Sequence, residues 1–397
     1  MKLLDPIVEF AAQLQQIRRD IHAHPELCYE EIRTSELVAA KLTEWQIPII
    51  RGLGITGIVG VIKRGSSQRA VGLRADMDAL PMQELNTFAH TSTQNGKMHA
   101  CGHDGHTAML LGAAHYLATH ASFDGTVYVI FQPAEEGGGG AKRMIADGLF
   151  EQCPMQAVFG MHNWPGVPLG QFGVRAGPMM ASSNEFEVIV HGKGAHAAQP
   201  HKGIDPILVA IQIVQSWQSI VARNVSPVDS AVLSVTQIHS GSATNVIPDQ
   251  AILIGTVRTF TPEVLDMIEA NMHRIADHTA QAFDARVEFH FKRNYPALFN
   301  HAKESVLAAE VMRQIVGDDA VNSQIEPTMG AEDFAYMLQG KPGCYVFIGN
   351  GDGNHREQGH GLGPCNLHNA SYDFNDQLLP LGATYWVRLA QHFLAQS

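Results

Sequence analysis

Nine consecutive residues, Met98-His99-Ala100-Cys101-Gly102-His103-Asp104-Gly105-His106, hold one thiol, three imidazoles and a carboxylate. The glycines let the backbone bend around a small object. Cys101 and His103 lie two apart, so both can reach one centre from a turn. Thiolate and imidazole together suit zinc or a similar divalent transition metal. Alone, a Cys-x-His pair is more often part of a packed core, where buried Cys and His are common. Its company further along the chain decides the reading.

Glu135-Glu136 is the second element. On an extended segment, adjacent side chains point opposite ways. One carboxylate can then bind metal while its neighbour accepts a proton, as metal-assisted hydrolysis requires. The metal lowers the pKa of a bound water; the free glutamate takes its proton and later delivers it to a leaving amine. A solvated acidic turn is the plain alternative. The run Gly137–Gly140 followed by Ala141 and Lys142 lacks the spacing of a phosphate loop. It reads instead as room for close backbone approach near the metals, at the start of a helix. His162, in Gly160-Met161-His162-Asn163-Trp164-Pro165, and His368, in Cys365-Asn366-Leu367-His368, complete the candidate ligands. For each histidine alone, a hydrogen-bonded structural role is the alternative.

These residues need elements to carry them. Ile7–Ile21 and Glu30–Trp45 have helical periodicity, as do Thr107–Leu117 and Ala141–Leu149. Gly57–Ile62, Ala70–Arg74, Thr126–Phe131 and Ala157–Met161 read as strands. Strands alternating with helices predict an α/β fold with a mostly parallel sheet covered by helices. In such sheets ligands bind beyond the carboxyl ends of the strands. Asp76 and Asp78, Glu135 and Glu136, and His162 follow three of those ends. After Pro178 the rhythm changes. Phe186–His191, Ile204–Ala222, Ala231–Ile238, Ala251–Phe260, Pro262–Phe283 and Val287–Lys292 follow the ferredoxin-like order β-α-β-β-α-β. The expected organisation is a catalytic domain of residues 1–182 and 296–397, with residues 183–295 inserted. Ala302–Ile315 and Leu378–Leu394 resume as helices, and Cys344–Ile348 as a strand.

Bulk composition removes several classes. At 397 residues the chain exceeds one core and reads as two domains. Its net charge of −12, with no Lys/Arg run, argues against nucleic acid or an anionic membrane as partner. Five cysteines, sparse and odd in number, do not make a disulfide framework and suit a reducing compartment. Asp5 and Glu9 interrupt any signal-peptide pattern, and no apolar stretch approaches the ~20 residues of a membrane span. A cytoplasmic protein is expected.

With these residues in order, the chain resembles the metal-dependent amidohydrolases that include aminoacylases, hippurate hydrolases and auxin–amino acid conjugate hydrolases. The resemblance runs from about His22 to Gln391. It includes His24-Pro25-Glu26-Leu27, Leu73–Pro81, Met98–His106, Phe131–Glu136, Gly160–Pro165, Met329-Gly330-Ala331-Glu332-Asp333-Phe334 and Leu367–Ser371. It implies two divalent metal ions per subunit, zinc or manganese first, with cobalt and nickel open. Cys101 would bridge them. His103 and His162 would complete one site, Glu136 and His368 the other, and Glu135 would be the general base. The broader clan has a metal-binding His where this chain has Asp76, so that role should pass to His103; Asp78 keeps its place and orients ligands. In relatives the inserted domain is a lid and dimerisation domain. By the same resemblance His196 would stabilise the oxyanion, and Asn245 and Arg258 would hold a substrate carboxylate.

The implied reaction is hydrolysis of the amide bond of an N-acyl amino acid by a homodimer or homotetramer. A dipeptidase and a deacetylase of the N-acetyl-diaminopimelate type share the same motifs. A non-catalytic metal or ligand binder is disfavoured by the intact Glu135-Glu136 pair. A cysteine hydrolase using Cys101 would differ in surviving EDTA.

Overall fold

The apolar runs become strands buried along their length. Ala70–Asp76 and Gly125–Gln132 are buried at every position, as strands covered on both faces must be. A computed structural model describes residues 1–396. Its main sheet has the order Ile49–Leu53, Gly57–Arg64, Gly125–Gln132, Ala70–Asp76, Ala157–Pro165, Gly343–Gly351, Phe172–Gly173, Val321–Asn322. Ala70–Asp76 pairs in parallel with Gly125–Gln132 and with Ala157–Pro165, which pairs in parallel with Gly343–Gly351. The hairpin Ile49–Leu53/Gly57–Arg64 forms an antiparallel edge, and Phe172–Gly173 joins Gly343–Gly351 antiparallel. The fold is α/β with a mixed sheet. Its parallel centre brings the carboxyl ends of the strands together, with Asp76 beside Gln132.

Of the strand ends that differ from expectation, two carry site residues. Ala157–Pro165 continues past Met161, because Phe347–Gly351 supplies partners that far; His162 lies opposite Phe347, inside the strand. Asp76 closes its strand rather than following it. Helix His103–Thr119 begins a turn earlier than its apolar pattern predicts. Gly102 precedes it with φ +95°, and a Cβ there would sit 2.2 Å from Asn163 Oδ1. Only glycine fits both demands. The helix is buried nearly all round and packs against Asp5–Ala23 and Leu378–Ala395.

The chain divides into two compact units. One comprises Met1–Met179, Phe299–Glu326 and Asp333–Ser397; the other comprises Met180–Leu298 and Pro327–Glu332. The smaller unit has a four-stranded antiparallel sheet ordered Ala231–Ser240, Gln250–Thr259, Ser183–His191, Arg286–Tyr295. Helices Pro206–Arg223 and Pro262–Ala282 intervene in the order β-α-β-β-α-β. Each opens with a side-chain cap and a proline in its first turn: Asp205 accepts from Ile207 N at 2.9 Å and Thr261 from Val264 N at 3.4 Å. Phe186, Val188 and Val190 alternate into a core around Trp217, whose indole donates to Met272 O at 3.0 Å. Among the described residues no helix is long and apolar enough to cross a membrane.

Candidate metal centre

At the carboxyl edge of the larger unit's sheet, two overlapping groups of donors converge. Cys101, His103 and His162 form one; Cys101, Glu136 and His368 form the other. Within each, the ligand atoms lie within 4.8 Å of one another. Cys101 belongs to both.

Each histidine is held through one side. His162 Nδ1 donates to Asn163 O at 2.6 Å, which leaves Nε2 3.3 Å from Cys101 Sγ. His103 Nδ1 lies 2.9 Å from Asp78 O and 3.3 Å from Asp78 Oδ1. His103 Nε2 is buried with no hydrogen-bond partner among the described residues. His368 has a left-handed backbone, φ +59°, fixed by its N–H donating to Ala100 O at 2.8 Å. Its Nε2 is 3.2 Å from Glu136 Oε1, a buried oxygen for which this ion-pair contact stands in place of a hydrogen bond among the described residues. For His103 and His162, anchoring Nδ1 fixes Nε2, the usual way metal-binding histidines are oriented, whereas His368 is held at its backbone.

The electrostatics ask for a cation. Burial pushes the Cys101 thiol far up, and Glu136, Glu135 and Asp76 push it further. Burial opposes charge on His103, but Asp76 and Asp78 outweigh it and lift its pKa to about 10. Burial and neighbouring His106 hold His162 far below its usual range, so it is neutral. A divalent ion would reverse the first two tendencies at once. The buried His103 Nε2, without a hydrogen-bond partner among the described residues, and the thiol–imidazole–carboxylate donor set fit such an ion.

Glu135 and Glu136 sit on a turn, not the extended segment expected. Ala134, with φ +54°, bends the chain just before them. The two carboxylates are separated by the turn instead of by strand alternation. Asp78 pins the turn: its Oδ1 accepts from Glu135 N at 3.0 Å and its Oδ2 from Glu136 N at 2.9 Å. Against its burial, the hydrogen bond and charge of His103 and these amides hold the Asp78 carboxyl down. The glycines after the turn make room for the chain itself. A Cβ on Gly140 would lie 1.7 Å from Pro133 O, so the close approach is to the turn's own backbone.

Several contributors carried no role in the sequence reading. Asp333 donates its N–H to Glu135 Oε1 at 3.4 Å. Its carboxylate accepts from Gln132 Nε2 at 2.7 Å and Ala141 N at 2.9 Å, and lies 3.2 Å from Arg74 Nη2. Arg74 Nη1 also lies 2.7 Å from Asp76 Oδ2, and Asp76 Oδ1 lies 2.6 Å from His106 Nδ1. The Asp76 carboxylate is thus engaged on both oxygens. The available signal was Arg74 itself, a charge inside a strand that must be buried on both faces.

In the smaller unit, His196 pairs with Val246 in a short ladder, and Ala197 N donates to Asn245 O at 3.0 Å. Both His196 and Asn245 are exposed. His196 Nδ1 accepts from Ala198 N at 3.1 Å. Arg258 stands half-buried on Gln250–Thr259. Burial lowers its pKa, against the opposing charge of Glu185.

Residues 72–392 match the peptidase family M20/M25/M40. The chain is 40% identical to a hippurate hydrolase of Campylobacter jejuni over 99% of this chain and 100% of that protein. It is 38% identical to an N-acetylcysteine deacetylase of Bacillus subtilis, covering 96% and 97% of the two chains. The solved structure of the Bacillus subtilis YXEP protein, described as a dinuclear metal-binding peptidase of the M20 family, superposes with a TM-score of 0.84. That protein is 34% identical, with 98% of this chain and 99% of that chain covered. The chain belongs to peptidase family M20/M25/M40.

Proposed function

We propose that this member of the M20/M25/M40 family hydrolyses the amide bond of N-acyl amino acids with two divalent ions. The observation that carries the reading is one thiol, Cys101, shared by two three-donor groups beside a further buried carboxylate, Glu135. The names of the hippurate hydrolase and the N-acetylcysteine deacetylase support the substrate class.

In this reading His103 and His162 would hold one ion and Glu136 and His368 the other, with Cys101 available to each. Zinc is the ion the thiolate favours, with manganese next. When bound, the ions polarise the scissile carbonyl and acidify the attacking water. Glu135 takes the proton of that water as its oxygen bonds to the carbonyl carbon. It then gives the proton to the nitrogen as the C–N bond breaks, releasing a carboxylic acid and a free amino acid. Asp78, through the amides of Glu135 and Glu136, holds both side chains at their stations. His196 stabilises the oxyanion, and the Arg258 fork with Asn245 takes the substrate carboxylate. The smaller unit serves as lid and dimerisation domain, and the five free cysteines suit a cytoplasmic setting.

The test is hydrolysis of N-acetyl, N-benzoyl and dipeptide substrates by metal-stripped protein, with and without added zinc or manganese. Metal-restored release of amino acid from the N-acyl members is the expected result. Turnover of dipeptides alone would move the assignment to a dipeptidase. Turnover that survives EDTA would contradict the metal mechanism.

A further inference from the structure

Three consecutive amides at the Ala134–Glu136 turn point into two buried carboxylates. Asp78 takes the second and third. The first, Ala134 N, donates to Glu31 Oε1 at 2.8 Å. The same oxygen accepts from Tyr29 N at 2.9 Å, and Glu31 Oε2 accepts from Thr56 Oγ1 at 2.6 Å. These are its hydrogen-bond partners among the described residues. No cation is among them, although Glu31 is fully buried. Burial, with the charge of Asp78 added, pushes its carboxyl up to about 7 against its hydrogen bonds.

Two of the three residues it holds share one property, and a neighbour of the third shares it too. Ala134 and Tyr29 both have left-handed backbones, with φ +54° and +63°. Ile55, next to Thr56, has φ +74°, a rare state for a β-branched residue. Such conformations persist only where surrounding contacts over-determine them. Tyr29 closes the arrangement, since its hydroxyl donates to Gly138 O at 2.7 Å on the far side of the turn. Glu31 therefore grips the turn at Ala134 directly and at Gly138 through Tyr29.

We propose that Glu31 is a positioning residue: it fixes Ala134 in the left-handed conformation that sets where Glu135 and Glu136 leave the backbone. The chemistry it serves is that of the functional reading above, on which this inference rests. What matters is an acceptor oxygen at the end of a four-atom reach, not a negative charge. A glutamine supplies that oxygen to both amides, and its NH2 group can donate to Thr56 Oγ1. An aspartate keeps the charge and withdraws the oxygen by one methylene.

The test compares Glu31→Gln, Glu31→Asp and Glu31→Ala with wild type. The readouts are kcat and KM per folded, zinc-loaded chain and zinc affinity by chelator competition. Misplacement of reacting groups by about 1 Å costs up to about 100-fold. Loss of an outer support of a metal site costs about 10-fold or more in affinity. Glu31→Asp and Glu31→Ala should lose about 10- to 100-fold in kcat, with KM within about threefold, and about tenfold in the weaker zinc affinity. Glu31→Gln should stay within about threefold of wild type throughout. If the alanine protein does not fold, the Asp–Gln contrast decides alone. Folded Asp or Ala variants that match wild type in kcat and zinc affinity would overturn the proposal, as would a Gln variant as impaired as Asp. An inactive wild type would instead sink the amidohydrolase reading, and zinc affinity would then decide the role of Glu31.

Discussion

His103 and Asp104 are neighbours at the start of one helix, yet they join two unlike clusters. Asp104 Oδ2 lies 2.9 Å from His22 Nδ1, and His22 Nε2 lies 3.2 Å from Glu84 Oε1. Arg18 stands beside them, with Nη2 2.8 Å from Asp373 Oδ1 and Nε 2.8 Å from Asp376 Oδ1. There both nitrogens of the histidine are spoken for. In the other cluster His103 and His162 are each tied at Nδ1, and their Nε2 atoms are left facing Cys101 and its neighbours. The same residue types, meeting at the start of one helix, make a closed ion network in one case and an open donor set in the other. A histidine engaged at both nitrogens is read as structural. One hydrogen-bonded at a single nitrogen, beside a thiol and a carboxylate, fits the ligand role proposed above.

The hardest blow to the open cluster's chemistry is Glu135→Ala. Turnover should fall by about 10²–10⁴-fold, as for loss of a general base, with both ions retained. Full activity with intact metal content would remove Glu135 from the mechanism. His103 and His22 then sharpen the contrast itself. His22→Ala breaks a buried ion pair and should destabilise the fold by about 3–5 kcal/mol in urea titration, while zinc per folded chain stays at its wild-type value. His103→Ala should do the reverse, losing most of the zinc at one position by elemental analysis while the unfolding midpoint moves less. Equal behaviour of the two variants would erase the distinction. Asp78→Asn tests the support of the turn. An amide has one acceptor oxygen for two N–H groups, so kcat should fall about tenfold, as for outer-shell partners of metal sites.

The smallest expected effect is on pH dependence. Burial opposes charge on His22, but Asp104 and Glu84 outweigh it and lift its pKa to about 10. A pKa raised in the folded state gives stability that is whole below the ordinary value near 6.5 and lost as pH rises through about 10. Asp104, held down by His22 and Arg18 against burial, has the opposite sign: its contribution is lost only as pH falls below the usual carboxylate range. Thermal melts from pH 7 to 10.5 should therefore fall more steeply for wild type than for His22→Gln. Parallel slopes would mean that His22 is neutral in the folded protein.

Much of the open cluster was legible in the chain. Cys101, His103, Glu135, Glu136, His162 and His368 stand out by type, and the alternating pattern put three of the segments at one sheet edge. Their division into two groups sharing Cys101 was implied by resemblance, since spacing alone does not bring His368 to Ala100. The supports were harder to see. Glu31 meets Ala134 across 103 residues of sequence, and nothing local marks an acidic residue before a helix as a backbone anchor. The bend at Ala134 was also hidden, because alanine gives no sign of a left-handed backbone as glycine does. Periodicity placed strand centres well and their ends poorly. Ala157–Pro165 runs on because Gly343–Gly351 pairs with it, a contact that one strand's own pattern does not contain.

The most direct test of the open cluster is anomalous diffraction at the zinc edge from crystals of zinc-loaded protein. Two peaks should appear, both within bonding distance of Cys101 Sγ, one reached by His103 and His162 and the other by Glu136 and His368. A single peak, or two peaks that do not share Cys101, would contradict the account.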